Sequence, residues 1–101
     1  MKYRNGILEK LAKRPDLSEY NFKLLKIIDR YLEYYDLFHK TNQRMIFHLL
    51  YRQRRSNITV QILGNISKST LDRYIKKYDR MARTLIVADC NFINLKESLQ
   101  I

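Results

Sequence analysis

Apolar residues recur at helical spacing along almost the whole chain. Ile7, Leu8 and Leu11 line one side of a short helix over residues 3–14, and Pro15 ends it by disfavouring helical geometry at Arg14. Ser18 is an N-cap candidate for the next helix, over about 18–39, with Glu19 in its first turn. In that helix Leu17, Leu24, Ile28, Tyr31, Tyr35 and Phe38 lie three, four or seven apart and share a face. A second apolar line runs through Tyr20, Ile27 and Tyr34, and a third through Leu25 and Leu32. The arc is wide. A helix of this kind is either the centre of the domain or packs on a partner chain as well, so Leu24, Ile28, Tyr31, Tyr35 and Phe38 form a core or dimer seam.

Beyond it the pattern predicts a helix over 42–53, capped by Thr41 or Asn42, with Met45, Ile46, Leu49 and Leu50 inward. A short helix over 58–64 follows, capped by Asn57 or Thr59 and carrying Val60 and Leu63; it stops at Gly64-Asn65, residues tolerant of left-handed backbone. Ser67 caps a helix over 68–84 whose buried line is Leu71, Ile75, Tyr78 and Ala82. The tail from Leu85 to Leu99, with Ile86, Phe92, Ile93, Leu95 and Leu99, reads as mostly helical. Alternating, β-branched runs are confined to Ile58–Val60 and Leu85–Val87. The expected fold is all-α: a small bundle of five or six helices in a single domain, residues 1–101, containing a helix-turn-helix. Within it, residues 1–40 supply core or dimerisation helices, 41–84 the helix-turn-helix, and 85–101 a helical tail.

Composition supports that reading. Of 101 residues 46% are hydrophobic, enough for one core, and two Gly and one Pro leave long uninterrupted helices. The net charge is +10, and it is unevenly placed. Residues 1–43 carry nine basic and six acidic side chains, residues 44–83 ten and two, residues 84–101 one and two. A balance of +8 within forty residues is the signature of a polyanion site, because each neutralised phosphate releases counterions.

The basic block coincides with a two-helix layout. A helix-turn-helix needs a short aliphatic first helix, a turn residue tolerant of positive φ, an aliphatic plug (Ile66) and a capped second helix with a free outer face. Leu63-Gly64-Asn65-Ile66-Ser67-Lys68-Ser69-Thr70-Leu71-Asp72-Arg73-Tyr74 meets each requirement. The candidate DNA-binding residues are Ser67, Lys68, Ser69, Thr70, Asp72, Arg73, Lys76 and Lys77; Lys68, Ser69, Asp72 and Arg73 fall nearest the bases. Arg52, Arg54, Arg55 and Arg80 are candidate phosphate contacts, as are Lys76 and Lys77, and the Ser67 end of the helix suits a phosphate as well.

The run Ile66-Ser67-Lys68-Ser69-Thr70-Leu71-Asp72-Arg73-Tyr74-Ile75-Lys76-Lys77 resembles the recognition helix of region four of bacterial sigma factors. Thr41 to Arg52 resembles the helix that precedes the motif there, so the likeness covers about residues 41–84. Small phage and prophage regulators of the ArpU and RinA type share such a domain. The resemblance implies a recognition helix over 68–84 in the major groove of duplex DNA. Two departures stand out. Asn65 is inserted between Leu-Gly and the aliphatic plug, and Thr59-Val60-Gln61-Ile62 replaces a Glu-rich first helix.

No catalytic or metal chemistry, and no cofactor, is expected. His39 and His48 are isolated and read as interhelical polar residues; Asp29 and Glu33 form an ion-pair strip with Lys26 and Arg30; Cys90, the only cysteine, reads as a small buried residue. Of the eight tyrosines, Tyr31, Tyr35, Tyr74 and Tyr78 fall on core lines, where packing outweighs base stacking. With one cysteine, no signal-like N-terminus and no long apolar run, the expected setting is the bacterial cytosol or nucleoid, without a membrane partner. The leading expectation is a sequence-specific transcriptional regulator of phage or mobile-element type, binding double-stranded DNA, with a homodimer open. The alternatives are a packaging or recombination accessory, small-terminase-like or excisionase-like, and a module that binds RNA polymerase through helix 18–39.

Overall fold

The computed structural model describes residues 6–101, which fold into six α-helices with no strand among them. They are α1 (Ile7–Ala12), α2 (Ser18–His39), α3 (Gln43–Tyr51), α4 (Asn57–Gly64), α5 (Lys68–Ala88) and α6 (Ile93–Leu99). Short 3₁₀ turns, Pro15–Leu17 and Cys90–Phe92, lead into α2 and α6. The all-α expectation holds. The start of the first predicted helix, residues 3–5, lies outside the described residues.

One core joins all six helices. Leu24, Leu25, Ile28 and Leu32 of α2 meet Ile46, Phe47 and Leu50 of α3 and Leu71, Ile75, Tyr78, Ala82 and Ile86 of α5. At its centre Phe47 and Tyr78 pack edge to face with ring centroids 5.2 Å apart, a favoured geometry for aromatic quadrupoles. Ile7, Leu8 and Leu11 close one end, and Phe92 and Leu95 are buried against the same cluster.

The buried face of α2 differs from the predicted one. Leu24 and Ile28 enter the core together with Leu25 and Leu32, whereas Tyr31 and Phe38 are exposed and Tyr35 is half-buried. An arc wider than one helix can bury against its neighbours leaves its far edge in solvent. Met45, expected inward, is also exposed, as are Leu63 of α4 and Ile93 of α6. So is Cys90, which sits in the 3₁₀ turn after α5. α5 runs past residue 84 to Ala88, absorbing Leu85–Val87 into its last turn, and breaks only at Asp89, whose carboxylate accepts from Asn91 N at 2.9 Å.

Several helix starts rely on groups other than those predicted. Ser18 is the first residue of α2 and makes no cap, Leu17 standing at the cap position. Asn42 stands at the cap position of α3, as expected, but its side chain makes no cap hydrogen bond. Asp36 of α2 supplies the cap from outside, its two oxygens accepting from Gln43 N and Arg44 N, both at 2.9 Å, and from Thr41 Oγ1 at 2.6 Å. A carboxylate at a helix N-terminus also meets the positive end of the helix dipole. Ser56, not Asn57 or Thr59, caps α4 by accepting from Thr59 N at 3.2 Å. Arg44 of α3, rather than Lys26 and Arg30, closes the acidic strip, reaching Asp29 at 3.1 Å and Glu33 at 3.4 Å.

Candidate nucleic-acid interface

α4 and α5 are joined by three residues, Asn65, Ile66 and Ser67. Asn65 takes the left-handed conformation (φ 52°, ψ 51°), and the chain closes on α4 through Asn65 N to Ile62 O at 3.3 Å and Ile66 N to Gln61 O at 3.1 Å. Gly64 itself stays helical and serves spacing: a Cβ there would stand 3.3 Å from Ile46 Cγ1 on α3. Ile66 is partly buried against the core, as a plug between the helices should be. Ser67 Oγ accepts from Thr70 N at 3.1 Å and donates to Thr70 Oγ1 at 3.0 Å, which starts α5 at Lys68 as predicted.

The predicted buried line of α5, Leu71, Ile75, Tyr78 and Ala82, is buried throughout. On the exposed side Arg73, Lys76, Arg80 and Arg83 follow one another three or four residues apart and therefore form one ridge, with Ser69 at its N-terminal end. Ten residues of helix span about 15 Å, comparable to the width of a major groove, about 12 Å. Among the described residues no carboxylate lies in ion-pair contact with any of these four cations. Arg73 leans over the ring of Tyr74, 6.0 Å from its centroid, on its own helix.

The other candidates are differently placed. Lys68 and Asp72 are bound to each other at 3.1 Å on the flank of α5, and Thr70 is engaged in the cap. Lys77 turns inward. Its Nζ donates to Gln43 Oε1 at 3.1 Å and stands 3.6 Å above the Tyr35 ring, so it holds α5 to α3 and α2 rather than facing outward. Arg54, in left-handed backbone (φ 56°), makes a two-pronged pair with Glu9 of α1 at 2.9 and 2.8 Å. Arg52 lies over Phe22 of α2, 5.6 Å from the ring centroid, and Arg55 reaches Gln53 at 3.1 Å. The polar stretch after α3 thus ties α1 and α2 to the domain, and the ridge on α5 holds the outward charge. Arg83 had not been singled out from the sequence, although its spacing from Lys76 and Arg80 places it on the same strip.

At the foot of the ridge lies Asp79, whose carboxylate accepts from Leu8 N at 3.2 Å and so anchors the first turn of α1. Burial pushes its pKa upward, nearby Glu9 adds to this, and the Leu8 hydrogen bond and Arg83 oppose it. A Cβ at Gly6 would overlap that carboxylate, so a larger residue there must push the Asp79 side chain aside. Tyr78, on the buried face at the middle of α5, donates to Gln43 O at 3.3 Å and Oε1 at 3.2 Å, and burial raises its pKa so that it stays protonated. Among the described residues no group of His, Cys, Asp and Glu is arranged to hold a metal, and no helix is long and apolar enough to cross a membrane. No protein-family model, curated protein or solved structure matches the chain.

Proposed function

We propose that the chain binds duplex DNA, with α4, its turn and α5 acting as a helix-turn-helix and the α5 ridge entering the major groove. The observation that carries this reading is the ridge itself: Arg73, Lys76, Arg80 and Arg83 exposed along one helix face, beginning at a serine-capped N-terminus. Ser69 and Arg73, at the leading end, are suited to base edges; Lys76, Arg80 and Arg83 are suited to phosphates. Lys77, Arg52 and Arg54 make contacts within the domain and are left out of the proposed contact. The likeness of Ile66 to Lys77 to the sigma region-four recognition helix supports a role as a sequence-specific regulator of transcription, of phage or mobile-element type.

Binding of a labelled duplex, followed by anisotropy over a range of KCl concentrations, tests the proposal. Three cation–phosphate contacts give a slope of log K against log salt of about −2.7, at roughly −0.9 per contact. Arg80→Ala should weaken binding on every sequence and flatten the slope by about 0.9, whereas Arg73→Ala should also relax sequence preference. A wild-type slope near zero, or an Arg80→Ala protein that binds like wild type, overturns the reading.

A further inference from the structure

The exposed edge of α2 carries a second surface. Ile27, Tyr31, Tyr34 and Phe38 are 41, 51, 58 and 82% exposed, at successive spacings of four, three and four residues. That spacing keeps them on one face, the seam of a short coiled coil. Beside the Ile27 end a groove of about 430 Å³ opens between α2 and α5, floored by Ile27, Ile28, Met81 and Leu85 and rimmed by Lys77 and Arg80.

We infer that this stripe is the seam of a homodimer in which two α2 helices pack antiparallel about a two-fold axis near residues 32 and 33. The sequence of spacings reads the same in both directions. A perpendicular two-fold therefore sets Ile27 opposite Phe38 of the second copy and Tyr31 opposite its Tyr34. Phe38, the most exposed large apolar side chain among the described residues, then arrives at the groove beside Ile27. A parallel pairing would stack Phe38 on Phe38 and leave both grooves empty.

The area agrees with a second copy. From those exposures and side-chain areas of the usual aromatic and aliphatic size, the four residues present roughly 500 Å² of apolar surface. A standard interface covers about 800 Å² on each partner, and about 65% of a homodimer interface is apolar, so about 500 Å² is what each copy must supply. Each copy carries a net charge of +10, so like charge opposes their association. Added salt screens that repulsion, so dimerisation strengthens with salt, the opposite of the dependence expected for DNA.

Sedimentation equilibrium of the full chain without DNA, at low and high KCl, tests the inference separately from DNA binding. The expected result is a dimer, tighter at high salt, that Phe38→Glu converts to a monomer with unchanged helical circular dichroism, since this side chain is outside the core. Ile62→Glu, on the exposed face of α4, should leave the dimer intact. In a Cys90→Ser background, mixing Ile27→Cys and Phe38→Cys chains should give the mixed disulfide in preference to either symmetric one. A wild-type monomer at several hundred micromolar overturns the inference, as does dissociation by Ile62→Glu but not Phe38→Glu. Preferential pairing of Phe38→Cys with itself overturns the antiparallel register.

Discussion

Gln43 sits almost fully buried where α2, α3 and α5 meet, and its carbonyl oxygen accepts from both Tyr78 Oη (3.2 Å) and Lys77 Nζ (3.1 Å). Replacing either partner has unequal consequences. Tyr78→Phe removes one donor, but Gln43 Oε1 still accepts from Lys77 and no acceptor is orphaned. The bonds lost are long, 3.2 and 3.3 Å, so the cost is that of one ordinary hydrogen bond, about 1 kcal/mol. Gln43→Leu keeps the volume but leaves the Tyr78 hydroxyl with only the Gln43 backbone oxygen and strips Lys77 of its acceptor in a half-buried site. Its expected cost is about 2 kcal/mol, within the range for an unsatisfied buried group. In the double variant the hydroxyl that Gln43→Leu leaves with one long bond is gone, so the sum of the single costs should exceed the observed loss by about 1 kcal/mol. Urea denaturation at constant m-value measures all three; in thermal denaturation 1 kcal/mol corresponds to a shift of roughly 4–8 °C in the melting midpoint of a domain of this size. Additivity within about 0.4 kcal/mol would refute the coupling, as would a Tyr78→Phe protein more stable than wild type.

Other consequences follow from single contacts. Because the pKa of Asp79 is raised in the fold, the stability this group contributes is complete below its unfolded value and is lost as pH rises through the folded one. Asp79→Asn, which keeps an acceptor for Leu8 N, should therefore equal or exceed wild type in thermal midpoint at pH 7, with the advantage vanishing below about pH 4; an advantage that grows on acidification contradicts the sign. Ser67→Ala removes the cap of α5 and should cost about 1 kcal/mol in chemical denaturation, with Ser67→Gly costing less. Asn65→Ala forces a β-carbon without a polar rescue into left-handed backbone and should cost about 1 kcal/mol, while Asn65→Gly should be close to neutral. Gly6→Ala drives the Asp79 carboxylate off Leu8 N, and its cost, read by the same denaturation, should largely disappear in an Asp79→Ala background.

The helices themselves were legible in the chain because they rest on local terms. Periodicity set α2, α3 and α5, Ser67 the start of α5, Asn65 the stop of α4, and Pro15 the end of α1; each acts within a turn or two of its own residue. The inward line of α5 was equally plain, since its outer face is charged and leaves one apolar side to bury. The face of α2 was not. With three apolar lines around one helix, only the positions of α3 and α5 select Leu25 and Leu32 for the core and leave Tyr31, Tyr34 and Phe38 in solvent. Charges obeyed the same division. Lys77, Arg54 and Arg73 look alike in sequence, but Gln43 and Tyr35 lie within reach of the first, Glu9 within reach of the second, and no carboxylate in ion-pair contact with the third among the described residues. A cation's partner can be 34 or 45 residues away along the chain, and that distance closes only when the helices pack.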